Sequence, residues 1–156
     1  MPELPEVETV KTGLEKAWVG KTVSKVILRR ENLRYPFPEN FSQDMEGQKI
    51  IAVRRRAKYL LIDTDGDLVF LSHLGMSGKY TLFDAEKVST YDLKDSEKQS
   101  IFGEKTGFNG KHDHMEIRFD DGSISVYTDP RRFGIVKLFH RSEEPVQSLL
   151  EVLGPE

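Results

Sequence analysis

The sequence contains no cysteine, which excludes disulfides and thiolate-ligated zinc and fits a reducing compartment. It also has no apolar run approaching the ~20 residues that a membrane helix requires. The opening MPELPEVETV is acidic and lacks the basic and apolar regions of a secretory signal, so the chain reads as cytoplasmic. A basic excess is missing as well. With 23 Lys and Arg against 26 Asp and Glu the net charge is −3, which weighs against nucleic acid, whose binding rests on cations neutralising phosphates. What is present is enough apolar material for one core, 37% of the residues at a mean hydropathy of −0.50. No repeat or internal boundary divides the chain, and residues 1–156 read as one domain.

The distribution of charge softens the objection to nucleic acid. Arg29, Arg30 and Arg34 form one basic group, Arg54, Arg55, Arg56 and Lys58 a second, and Arg131 with Arg132 a third. Acidic residues gather between Asp84 and Glu104 and at the C-terminal end. Any one basic cluster is ordinarily a solvated face; three beside strand ends make a basic surface.

Pro5 with Glu6 and Glu8 behind it opens a helix, because proline suits the first turn and carboxylates match the dipole there. Val7, Val10, Leu14 and Ala17 or Trp18 continue at helical spacing until Gly20. Short strands follow at 23–28, 49–54, 59–63, 67–72, 79–83, 114–119, 123–128 and 135–139. Thr64 to Asp67 and Asp120 to Gly122 are the hairpin turns. The polar stretch from Asp84 to Gly110 reads as a long surface loop, and Pro145 to Leu153 as a short closing helix. The expected fold is α+β, mainly β: a two-layer antiparallel β-sandwich with an N-terminal helix and a short C-terminal helix.

The chemistry begins at Pro2. Its small side chain favours removal of Met1, which leaves a free secondary amine at the chain start. An α-amino group titrates near about 7.7–8.0, and the positive end of the following helix disfavours its cation further. Such an amine forms a cationic iminium with a sugar carbon, which is amine-type nucleophilic catalysis. If Met1 stays, Pro2 carries an amide nitrogen and has no nucleophile to offer. Taken alone, Pro2 is an ordinary second residue. Glu3 and Glu6 lie within a turn of that amine; each singly is a dipole partner, but Glu3 is placed to act as a general acid on whatever bonds to Pro2. Lys58 follows three arginines, whose repulsion lowers its proton affinity, although a phosphate contact is the commoner use of such a lysine.

His73 to Gly78 forms a tight loop after a strand and exposes Met76. A hairpin methionine is usually a small core plug; an exposed one beside nucleic acid can be an apolar wedge between base steps. Thr128 to Gly134 has the same logic, with Arg131, Arg132 and Phe133 at a strand end. His112 and His114, one residue apart, with His73 as a third ligand, allow a zinc reading. The preferred reading gives His112 a phosphate and His114 a structural role.

Together these segments resemble the formamidopyrimidine-DNA glycosylases. Met1 to Val10, Arg55 to Leu61, His73 to Gly78, Lys111 to His114, Thr128 to Gly134 and Leu153 to Glu156 all match the family's motifs in order. The resemblance implies a base-excision enzyme with AP lyase activity that removes 8-oxoguanine and formamidopyrimidines from damaged double-stranded DNA, working as a monomer. It implies Pro2 as the nucleophile on C1′, Glu3 as the acid that protonates the sugar, Glu6 as a supporting carboxylate and Lys58 as a proton donor in β-elimination. His73 and His112 would hold phosphates, and Arg132 the backbone. Met76, Arg131 and Phe133 would fill the gap left by the extruded lesion.

Two departures stand out. The family's second half, with a helix-two-turn-helix and a four-cysteine zinc finger, is not in this sequence; no cofactor is expected in this chain, and zinc is expected in that other half. The 82–110 stretch is longer than the family leads one to expect. Three other readings follow: the sister endonuclease VIII group of the same superfamily, which prefers oxidised pyrimidines and typically has glycine where this chain has Leu4; a fragment that only binds damaged DNA weakly, without catalysis; and an unrelated sandwich with zinc on His73, His112 and His114.

Overall fold

The computed structural model describes residues 4–29, 32–85 and 113–143. Helix α1, Leu4–Trp18, buries Val7, Leu14 and Trp18 on one face, the 3.6-residue stripe that docks a helix on a sheet. Glu6 in its first turn and Lys16 in its last complement the dipole. Gly20, with φ +92°, turns the chain out of the helix in a conformation open to glycine.

Among the described residues eight strands follow: β1 (Val23–Leu28), β2 (Ile50–Arg56), β3 (Tyr59–Thr64), β4 (Leu68–His73), β5 (Lys79–Phe83), β6 (Asp113–Phe119), β7 (Ile124–Thr128) and β8 (Ile135–His140). They form two four-stranded sheets, in the orders β1-β6-β7-β5 and β2-β3-β4-β8, with every pairing antiparallel. The expected sandwich is what the chain forms. The turn at Asp120–Gly122 closes as expected, with the Phe119 amide donating to Ser123 O and Gly122 at φ +91°.

A short helix α2, Phe41–Met45, was not anticipated: five residues complete barely more than one turn, too few to show a period. It exists to bury Phe41 and Met45, each 1% exposed. A 3-10 turn at Arg141–Glu143 ends the described chain. The expected helix at 145–153 and most of the 84–110 loop lie outside the described residues.

The core lies between the sheets and under α1. Val26, Met115, Ile117 and Tyr127 of one sheet meet Val53, Leu60, Ile62 and Phe70 of the other. Trp18 stacks on Phe70 at 6.4 Å, and its Nε1 donates to Ser125 Oγ at 2.9 Å. Burying side chains of this size contributes about 1.5–3 kcal/mol each. Leu61, Val69, Leu71 and Ile135 form a second cluster with Tyr59. These residues alternate with the first set along β3 and β4, so both faces of that sheet are covered. Among the described residues no helix is long and apolar enough to cross a membrane.

Candidate nucleic-acid interface

Two loops cross side by side from one sheet to the other. Residues 74–78 lead from β4 to β5, and residues 129–134 lead from β7 to β8. Because β4 pairs with β8 and β5 with β7, the loops share one end of the sandwich. Their backbones nearly touch. Gly75 has φ +64°, and a Cβ there would lie 2.6 Å from the carbonyl carbon of Phe133. A Cβ on Gly134 would lie 1.9 Å from the Tyr127 hydroxyl. Glycine is required at both places by space.

Three large groups project from this paired platform. Met76 is 48% exposed and Phe133 44%, while Arg131, also exposed, sets Nη1 3.5 Å from Met76 Sδ. The backbone of Arg132 sits at φ +57°, a conformation that costs a non-glycine residue about 1–3 kcal/mol and often marks a functional turn. The structure therefore brings together Met76, Arg131 and Phe133, three residues singled out from two separate motifs.

His73 ends β4 at the foot of the platform. Its ring packs on Tyr59 at 4.8 Å, and its Nδ1 accepts from the Gly75 amide at 3.0 Å. Burial, then the cations Lys58 and Arg34, push its pKa down to about 4. The imidazole is thus neutral at physiological pH, and since Nδ1 is an acceptor the ring proton sits on Nε2. It can donate one hydrogen bond without bringing a charge.

Lys58 stands in the two-residue turn between β2 and β3, where Arg56 pairs with Tyr59. Ala57 before it has φ +52°, the sign that tight hairpin turns need at their first position. Arg55 secures this turn: its Nη1 donates to Ala57 O at 2.9 Å and its Nε to Glu8 Oε1 of α1 at 2.6 Å. That hydrogen bond holds the Glu8 carboxyl below its usual range. A continuous row results, from α1 through Arg55, Lys58 and His73 to Met76, Arg131 and Phe133. Arg34 joins it through a bond from its amide to Gly134 O at 3.4 Å, its guanidinium stacked over Tyr35.

The basic groups are less available than their sequence clustering implied. Arg54 is clamped on Asp63 by bonds of 2.7 and 2.8 Å, Arg55 on Glu8, and Arg29 on the buried Glu116 at 3.2 Å. Glu116 itself is pushed up by burial, against the pull of Arg118 and Arg29. Much of the positive charge is spent on structure, which Coulombic clustering in sequence does not reveal.

Pro2, Glu3 and His112 lie outside the described residues; Glu6 occupies the first turn of α1 and is exposed. His114 is buried, its Nε2 bonded to Asp129 O at 2.7 Å. A carbonyl accepts, so Nε2 carries the ring proton there, and the His73 Nδ1 accepts from the Gly75 amide; the zinc reading also needs His112, which lies outside the described residues. Among the described residues no three His, Asp or Glu side chains form a metal-binding group. With no cysteine in the chain, the residues present do not fit a four-cysteine zinc site. The residue that sequence reasoning passed over is Asp129. Its signal was an Asp-Pro pair at a strand end, the first two positions of a β-turn.

A two-sheet antiparallel sandwich whose crossing loops present an arginine and two apolar side chains beside a half-buried lysine defines the class of domain. A family model, the formamidopyrimidine-DNA glycosylase N-terminal domain, matches residues 1–136, and the chain belongs to that family. It is 44% identical over 159 residues to a formamidopyrimidine-DNA glycosylase of Rhizobium meliloti (strain 1021), covering all of this chain and 52% of that protein. Among solved structures, the Lactococcus lactis glycosylase bound non-covalently to AP-site DNA matches at TM-score 0.73 and 30% identity, over 96% of this chain and 49% of that one. A MutM complex with carbocyclic 8-oxo-G DNA matches at TM-score 0.72 and 30% identity, over 96% and 48%. The chain spans about half the length of these relatives.

Proposed function

We propose that residues 1–156 are the catalytic domain of a base-excision repair glycosylase with AP lyase activity, which removes oxidised purines from duplex DNA as a monomer. The observation that carries this reading is the row of groups just described, with a polar, partly cationic end beside α1 and an apolar-arginine end on the paired loops. In this reading Met1 is removed and the Pro2 nitrogen attacks C1′ of the damaged nucleotide. The C1′–N9 bond breaks, and the base departs with its electron pair and takes up a proton. Glu3 protonates the sugar ring oxygen, so the ring opens to a cationic iminium on Pro2. Loss of a C2′ proton then expels the 3′ phosphate by β-elimination, with Lys58 moving the proton and Glu6 supporting the site. The neutral His73, with His112 and Arg132, holds phosphates, and Met76, Arg131 and Phe133 occupy the space the extruded nucleotide vacates.

A second reading, a domain that binds damaged DNA without cutting it, is favoured by the net charge and by the carboxylates holding Arg29, Arg54 and Arg55. The two separate in one comparison on the full-length protein. Duplexes carrying 8-oxoguanine should be cut much faster than matched duplexes carrying thymine glycol. Salt-sensitive binding with no strand cleavage on either would establish the binding-only reading, and the reverse preference would place the enzyme among pyrimidine-specific relatives.

A further inference from the structure

We propose that Asp129 is a positioning residue that locks the loops 74–78 and 129–134 into one rigid body, so that the gap-filling groups arrive at DNA already assembled. The inference rests on the reading of Met76, Arg131 and Phe133 given above. The Asp129 side chain is completely buried. Its Oδ1 accepts from Ser77 Oγ at 2.7 Å, in the neighbouring loop, and from the Arg132 amide at 3.0 Å. Its Oδ2 accepts from the Tyr127 hydroxyl at 3.0 Å and from the Gly134 amide at 2.8 Å. Four donors on one carboxylate satisfy both oxygens twice over, and charge-assisted bonds of this kind are the strong ones. The carbonyl of the same residue takes the buried His114 ring.

The bond to Ser77 joins the loops, and Ser77 Oγ in turn accepts from the Arg131 amide at 3.2 Å. Met76 precedes Ser77, and Arg131 and Phe133 flank Arg132, so each exposed group is adjacent in sequence to an atom this network holds. The burial of Tyr127 and the adjacent Asp129 charge push the phenol far above its ordinary range, so it remains a donor at every working pH. At Gly75 the two loops leave no room for a side chain, since a Cβ there would lie 2.6 Å from the Phe133 carbonyl carbon. A platform ordered before binding gives up little freedom on docking, and misplacement of such groups is costly.

The test uses single-turnover kinetics of the full-length protein. Asp129→Asn keeps the shape but turns one acceptor into a donor facing donors. Excision of 8-oxoguanine from duplex is expected to fall by about 100-fold, whereas cleavage at an abasic site in a single strand, which has no orphan base to face, falls by less than about 3-fold. Ser77→Ala cuts only the strut between loops and should show the same selectivity at about 10-fold, which keeps the proposal open to test should Asp129→Asn fold poorly. Equal losses on both substrates, or duplex excision unchanged, would overturn it. A parent protein that excises nothing sinks the repair reading and this inference with it; a competent parent matched by both variants sinks this inference alone.

Discussion

His73 couples its neighbourhood to pH. The folded chain holds the imidazole neutral down to about pH 4, whereas the unfolded chain protonates it near its ordinary value of about 6.5. Between those values the unfolded state binds the extra proton, so stability falls as pH drops from 6.5 towards 4 and is flat above 6.5 on this account. The loss attributable to this residue is about 2–3 kcal/mol across the window. Urea unfolding at pH 7.0, 5.5 and 4.5 checks it: His73→Gln should flatten that part of the profile, and an unchanged slope would show that other groups carry it. That His73 stands where a strand gives way to the Leu74 to Gly78 loop was legible in the sequence. Its neutrality was not, because that follows from burial against Tyr59 and from cations delivered by two distant segments. Asp129 was hidden for the same reason: an Asp before Pro announces a turn, but only the tertiary fold supplies donors from Ser77, Tyr127 and Gly134.

At the scale of elements, the Arg55–Glu8 pair ties α1 to the hairpin that carries Lys58. Both partners are well exposed, so the pair is a weak contributor to stability; its effect is on alignment. Glu8→Gln in the full-length protein should leave thermal unfolding essentially where it was and slow single-turnover cleavage of an abasic duplex by about 10-fold. Equal rates would show that α1 is seated by its apolar face alone. All eight strands could be read from their spacing to within about a residue or two, the usual uncertainty of element ends. One such difference matters, since β4 runs on through His73 and fixes where that ring stands. β3 and β4 are apolar on both faces, Leu60 and Ile62 towards the main core and Leu61 and Val69 or Leu71 towards the second cluster; their continuous apolar runs reflect that double burial. Helix α2 escaped because a single turn has no periodicity to detect.

For the whole molecule, charge counting alone misleads in both directions. The chain is net acidic, yet Lys58, Arg34, Arg131 and Arg132 converge on one end of the sandwich, while several arginines that looked available in sequence are engaged by Asp63, Glu8 and Glu116. Clustering in sequence is visible; pairing across a sheet or between a helix and a strand is not. The chemistry assigned to this end depends on an amine at the start of α1, and reductive capture examines that dependence most directly. The full-length protein is mixed with an abasic or 8-oxoguanine duplex and borohydride, and the adduct is digested and mapped by mass spectrometry. The expected product is DNA joined to the N-terminal peptide beginning at Pro2, with no adduct when an extra residue precedes Pro2. An adduct on Lys58 or another lysine, or one that survives the blocked N-terminus, would contradict the account.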